Sequence, residues 1–247
     1  MHVFLEKKTL QGRTHLEDAK PAGARLASFL EILHGLDGGS RTVWTDVRSA
    51  GDLEGADVYV VPTLIEPLPP EAVEAVDGFV ARGGGLFLLS NHDPYHQHDG
   101  ALARRFGVTL EKTFFRTPGG TTPLRDGDLH AHPLLAGGRD PVSVLVTNTT
   151  CSILSRIGRP LADLPRTMED KSEGRSPEGR LFGLAVDGQQ EAWKGRRGRM
   201  VAVADSGFLG DRESRKPGPG LIEEGDNRAF LRRAVRWLAG GGDAETK

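Results

Sequence analysis

The chain has one cysteine, Cys151, among 247 residues. A single thiol excludes an internal disulfide framework and any zinc cage built from cysteines. Neither sign of charge dominates: 32 Lys and Arg against 34 Asp and Glu leave a net charge of −2. That balance gives no electrostatic reason to expect nucleic acid or an anionic membrane as partner. Apolar runs such as Gly85–Leu89 fall far short of the roughly 18 residues needed to span a bilayer, and Met1–Lys8 carries no apolar signal region. Glycine-rich phosphate cradles are also missing. Gly83-Gly84-Gly85 follows a predicted helix and precedes a predicted strand, the reverse of the order a dinucleotide site needs, so no nucleotide cofactor is expected. These absences lead to the expectation of a cytoplasmic protein acting on or binding a small molecule, and they leave a homodimer open.

What is present is a core and many tight junctions. Hydrophobic residues make up 37% of the chain, and 33 glycines are nearly twice the usual share of about 7%. His2–Leu5 reads as a first strand, 21–36 as a helix with Pro21 in its first turn, and Arg41–Thr45 as a second strand. Asp57–Val61 and Leu86–Leu89 are apolar strands without alternation. Between them the helix from Pro69 to Ala81 carries Val73, Val76, Phe79 and Val80 on one face. Strand, helix, strand with fully apolar strands predicts a mostly parallel sheet covered by helices on both faces. Val108–Phe115, Val142–Val146, Ile153-Leu154, Leu181–Val186 and Met200–Ala204 are further strand candidates. Asp226-Asn227 is expected to cap a last helix ending at Leu238. The polar segments 156–179 and 206–224 read as long loops, candidate lids over a pocket. The whole of 1–240 is expected to form one α/β domain, with 241–247 a disordered tail.

Ligands of open α/β sheets sit beyond the carboxyl ends of the strands. The residues that follow strands are therefore the candidates: Glu66, Asn91, His92, Asp93 and Asp205, with Thr14 and His15 after the first. The segment 90–99 reads Ser-Asn-His-Asp-Pro-Tyr-His-Gln-His-Asp and holds three of the chain's 8 histidines. Imidazole and carboxylate together suit a divalent zinc, manganese or iron ion, with His92, His96 and Asp205 as candidate ligands. An open coordination position would let such a metal activate water. The competing reading is a polar surface loop whose histidines are solvated, and Asp93 before Pro94 is also an ordinary turn signal. Asn91-His92-Asp93 also matches part of the metallophosphoesterase pattern, and His130-Ala131-His132 another part, but two of that family's four metal motifs are missing.

Residues 56–107 and 198–238 together resemble the class I glutamine amidotransferase-like superfamily, and within it a bacterial branch that lacks the nucleophilic cysteine. The resemblance rests on Asn91-His92-Asp93-Pro94-Tyr95, where the branch has Asp-His-x-Pro-aromatic, and on Thr14-His15. It rests also on Gly198-Arg199 opening a strand that ends at Asp205, then Asn227 opening a helix that closes with Trp237-Leu238. It implies a flavodoxin-like three-layer sandwich. It also implies that no glutamine is hydrolysed by the usual route, because Ser90 stands where the nucleophile would be and Cys151 lies outside any elbow pattern. A serine nucleophile would need an adjacent base and an oxyanion hole. The leading expectation is thus a small-molecule hydrolase or lyase with His15, His92, Asp93 and Asp205 as catalytic residues. Glu66, Asn91, Tyr95 and Asn227 would bind substrate, and a divalent metal could assist. The alternative is a non-catalytic ligand-binding or assembly module on the same scaffold.

Overall fold

Val58–Pro62 (β3) and Gly85–Leu89 (β4) are buried at every position, as strands without polar alternation must be when both faces are covered. They pair in parallel with each other. His2–Glu6 (β1) lies on the far side of β3, and Arg41–Thr45 (β2) lies outside β1, both in parallel. Arg199–Val203 (β12) pairs in parallel with β4 on the other flank. A computed structural model of the chain describes residues 1–10, 26–36, 39–136, 141–188, 190, 193, 195–211 and 220–241.

The described helices follow from their apolar stripes and termini. Ala27–His34 (α1) buries Phe29, Ile32 and Leu33; the Pro21 start expected for it lies outside the described residues. Pro70–Ala81 (α2) has Pro70 and Glu71 in its first turn and buries Ala72, Ala75, Val76, Phe79 and Val80, a spacing that keeps one face inward. Gly100–Arg105 (α3) and Pro133–Ala136 (α4) are short. Asn227–Leu238 (α5) buries Phe230, Leu231, Ala234, Val235 and Leu238 under an arginine-rich outer face.

Beyond the parallel half the sheet continues in antiparallel fashion, a feature the sequence expectation lacked. Val108–Arg116 (β5), Thr149–Ser155 (β8) and Leu181–Val186 (β11) extend it, with Arg159–Asp163 (β9) and Glu169–Asp170 (β10) joining at β11 and β5, giving the order β10-β5-β8-β11-β12-β4-β3-β1-β2 with β9 also on β11. Thr122–Leu124 (β6) and Leu145–Thr147 (β7) form a separate two-stranded ribbon. The segment 156–179 is not a free lid. It contains β9 and β10, both hydrogen-bonded into the main sheet, and it buries Leu164 and Met168. Its many charges hid this. Glu111 of β5, buried, accepts from Arg175 Nη1 at 2.7 Å and from Arg180 Nε at 2.7 Å, so Arg175 within the segment and Arg180 just after it tie the chain to β5. Of 206–224, the described parts are 3-10 turns at Ser206–Leu209 and Leu221–Glu223.

The junction of α2 with β12 is main chain against main chain. The last carbonyls of α2 accept from the strand that enters β12: Gly198 N–H donates to Val80 O at 2.9 Å and Arg197 N–H to Ala81 O at 3.3 Å. A Cβ on Gly198 would stand 2.1 Å from Gly84 O and 2.6 Å from Val80 O, which no rotamer can relieve. Gly198→Ala is therefore expected to cost about 1–3 kcal/mol, the range for overpacking a close contact, measured by urea denaturation. A loss within about 0.5 kcal/mol, as for an ordinary surface substitution, would show that the junction can open without penalty.

Candidate functional site

β8 begins where β12 stops. Cys151 N–H donates to Ala204 O at 3.3 Å, so β8 and its partner β5 stand over the edge where an open α/β sheet usually leaves its ligand crevice. The residues that follow the parallel strands meet this roof rather than an empty cleft.

His92 follows β4. Its ring lies on Phe114 of β5, centroids 4.2 Å apart and planes at 15°. Tyr95 approaches edge-on at 5.2 Å. Nδ1 of His92 lies 2.7 Å from the Asp93 carbonyl. A carbonyl only accepts, so that nitrogen carries a proton and donates to it. Asp93 N–H donates to Thr113 O at 3.0 Å, pinning the loop to β5, and the Asp93–Pro94 peptide is cis. Tyr95 is 48% exposed at the loop tip. His96 turns inward and is 8% exposed. Burial holds its pKa below the ordinary value, with Asp93 opposing, and its Nδ1 has no hydrogen-bond partner.

Asp205 follows β12 and is buried. Its Oδ2 accepts from Thr147 Oγ1 at 2.7 Å and from Asn148 N–H at 3.4 Å; its Oδ1 accepts from Gly207 N–H at 2.8 Å. Burial raises its pKa, and these hydrogen bonds and the neighbouring His92 oppose the rise. Asn91 donates to Ser206 Oγ at 3.0 Å and accepts from His92 N–H at 2.8 Å, so it ties the end of β4 to the turn after β12. Asn227 was expected to contact substrate. Its amide is instead engaged with main chain, accepting from Val146 N–H at 2.9 Å and donating to Val146 O at 2.8 Å and Leu221 O at 2.7 Å. Its neighbour Asp226 makes no side-chain cap on α5 and accepts from Ser143 and Val144. Glu66 is drawn into a surface ion cluster with Lys8, Arg48 and Asp46. His15 lies outside the described residues. Asn91, His92, Asp93 and Asp205 thus follow neighbouring strands at one sheet edge, while Glu66 is held in the ion cluster and the Asn227 amide is taken up by main chain.

Ser90 is buried and donates to Asp99 Oδ2 at 2.7 Å. Asp99 also accepts from Leu64 N–H at 2.7 Å, which closes the loop 90–99 onto the end of β3. Burial pushes the Asp99 carboxyl up to about 7, against the pull of those two donors. Cys151 lies beside Ser90, and burial pushes its thiol well above the ordinary value. Neither Ser90 nor Cys151 has the exposed elbow a nucleophile needs. Glu6, at the end of β1, is a second buried carboxyl raised to about 7 by burial, and it accepts from Tyr59 Oη at 2.6 Å.

Among the described residues no group of three or more His, Cys, Asp and Glu side chains could hold a metal ion. His92, His96 and Asp205 do not form such a set, so no chemical step is derived through a metal. Sequence reasoning missed Thr147 and Phe114, which fix Asp205 and His92. Both arrive from the antiparallel extension, and nothing in the local sequence around β7 or β5 marks them.

No protein-family model matches the sequence, and no curated protein matches it. Solved structures do. The mmIFT52 N-terminal domain superposes with a TM-score of 0.69 at 8% identity, covering 96% of this chain and 97% of that one. A cytoplasmic protein from Salmonella typhimurium LT2 gives 0.58 at 13% identity, covering 96% and 99%. A putative ThuA-like protein from Bacteroides uniformis ATCC 8492 gives 0.56 at 13% identity, covering 96% and 91%. At such identities the likeness shows the fold alone: a mixed α/β architecture around a large central sheet. No described helix is long and apolar enough to cross a membrane.

The buried carboxyls make a signed prediction. Asp99 has a folded pKa of about 7 against an ordinary 3.8, so the folded protein keeps a proton that the unfolded chain releases. Its contribution is fully present below the unfolded value and is lost as pH rises through about 7. His96 has the opposite sign: its stability is present above the ordinary 6.5 and lost as pH falls. Comparing wild type with Asp99→Asn at each pH isolates the first group. Urea midpoints should show wild type losing stability relative to the variant from about pH 4 to 7, whereas a constant difference would mean that Asp99 ionises normally. Cys151 should also resist thiol reagents in the native state and react on unfolding, because only an exposed thiolate is reactive. Prompt native labelling would contradict that burial.

Proposed function

We propose that the chain is a non-catalytic binding module for a small polar ligand, built on an amidotransferase-like scaffold and seated at the His92–Tyr95 loop. One observation carries this reading. Of the candidate catalytic groups at the sheet edge, Asp205 is engaged with Thr147 and Gly207, and its neighbours Ser90 and Asn91 are taken up by Asp99 and Ser206. A catalytic acid or nucleophile must be able to reach substrate, and these are buried. The face left open is the stacked set of His92 and Phe114 with Tyr95 exposed at its tip. Such rings offer flat apolar surface beside polar tips, a combination suited to small polar ring-bearing molecules. A flavodoxin-like three-layer arrangement is supported by connectivity. From β1 to β2 the chain moves one way across the sheet and from β3 to β4 the other, so right-handed crossovers would place α1 and α2 on opposite faces. A cytoplasmic location is part of the same reading.

A second reading, a hydrolase or lyase working by acid–base chemistry, is favoured by the anchored ring of His92. With Nδ1 held by the Asp93 carbonyl, Nε2 is the ring atom left to accept a proton from a bound molecule.

The chain's 2 tyrosines permit a direct test, since Tyr59 is buried and Tyr95 exposed. In protein labelled with 3-fluorotyrosine, a ligand found by thermal shift among small polar molecules should move the Tyr95 fluorine signal and leave that of Tyr59. His92→Ala should weaken its binding about tenfold. A ligand that moves neither signal and binds the variant as well would place the site elsewhere. Conversion of the ligand by wild type and not by His92→Gln would replace the binding module with the enzyme.

A further inference from the structure

A groove of about 710 Å³ lies on the antiparallel extension, away from the histidine loop. It opens where strands meet and part. Leu181, at the start of β11, pairs with Ile153 of β8 and with Asp163 of β9, and between these strands the chain turns through Arg156, Ile157 and Gly158. The walls are Ile153, Leu154, Ile157 and Leu181, with Thr109 and Arg156 beside them. Leu154 is 39% exposed, one of the few large apolar side chains so open. Gly107 keeps the floor close, since a Cβ there would stand 3.0 Å from Ile157 Cδ1 on a backbone of φ +72°.

Arg156 decides the charge of an occupant. It is exposed and makes no ion pair among the described residues. Glu111 is paired with Arg175 and Arg180, and Glu178 with Arg166 at 3.6 Å. An apolar trough with an unneutralised guanidinium beside it complements a molecule with a hydrocarbon body and an anionic head. Guanidinium and carboxylate can then meet in paired hydrogen bonds.

We infer that this groove is a binding site for a monocarboxylate with a short unbranched hydrocarbon tail, lying along Leu154, Ile157 and Leu181 with its carboxylate on Arg156. The site is separate from the loop at His92 and stands whether or not that loop binds a ligand. Burying one methylene multiplies affinity about fourfold, so octanoate, with two more, should bind roughly fifteenfold tighter than hexanoate.

The test uses the full chain with methyl-labelled isoleucine and leucine, titrated with octanoate below its micellar concentration. Saturable 1:1 binding is expected, with shifts at Ile153, Leu154, Ile157 and Leu181. Arg156→Glu should weaken binding at least about tenfold, and Leu154→Asp should abolish it. Both positions are exposed, so both variants should keep the wild-type spectrum elsewhere. Octanol or octylamine binding as tightly as octanoate would overturn the inference, because charge would then not be read. Indifference to Arg156→Glu, or absence of saturable binding, would do the same. So would sedimentation showing a wild-type dimer that Leu154→Asp dissociates, since the groove would then be covered by a second copy.

Discussion

The carboxylate of Asp205 is the joint on which the carboxyl edge depends. One oxygen takes the Thr147 hydroxyl and the Asn148 amide, and the other takes the Gly207 amide. A buried carboxylate without such donors would be unaffordable in a low-dielectric interior. With them, it fixes the end of a parallel strand to the turn that launches the antiparallel extension. Everything above the edge inherits its position from that joint. β8 starts against Ala204, β5 follows β8, and Phe114 on β5 provides the surface on which His92 lies. The polar residues that would line a crevice in a simpler α/β fold are here the fastenings of a roof.

This arrangement explains why the histidine loop is held so firmly for a loop of its length. Asp99 closes it onto β3 and β4 through Leu64 and Ser90, while Asp93 and His92 attach it to β5. Two of its ionisable side chains, His96 and Asp99, are buried with their charged forms disfavoured. The loop thus buries two titratable groups, although its sequence reads as one of the most polar stretches of the chain.

The parallel half was legible in the sequence because its signals are local. Apolar runs marked β3 and β4, Pro70 and the glycines after Ala81 bounded α2, and the stripe of Phe230, Leu231, Ala234, Val235 and Leu238 marked α5. The antiparallel half was not legible as such. β9 and β10 are short, charged and interrupted by proline, and their order comes from distant partners such as Glu111, which lies 64 residues from Arg175. Strand-end position picks out Asn91, His92, Asp93 and Asp205, which follow β4 and β12, but it could not tell a ligand-facing group from one turned onto the main chain. For Asn227 that difference is set by Val146, some eighty residues away in the chain.

The contact between Gly198 and the end of α2 bears on what a shared motif can mean. Gly198 meets the carbonyls of Gly84 and Val80, and Gly85 meets that of Leu238, each at a distance that excludes a Cβ. No second substitution can compensate for such a clash, because the opposing atoms belong to the backbone and not to a side chain that could be trimmed. Any chain with this packing must keep glycine there whatever chemistry it performs or has lost. Glycine at 198 and at 85 is accordingly a requirement of this packing. Relatives that agree at those positions would share a way of fitting helix to strand, and their activities would have to be judged from Asn91, His92 and Asp205 instead.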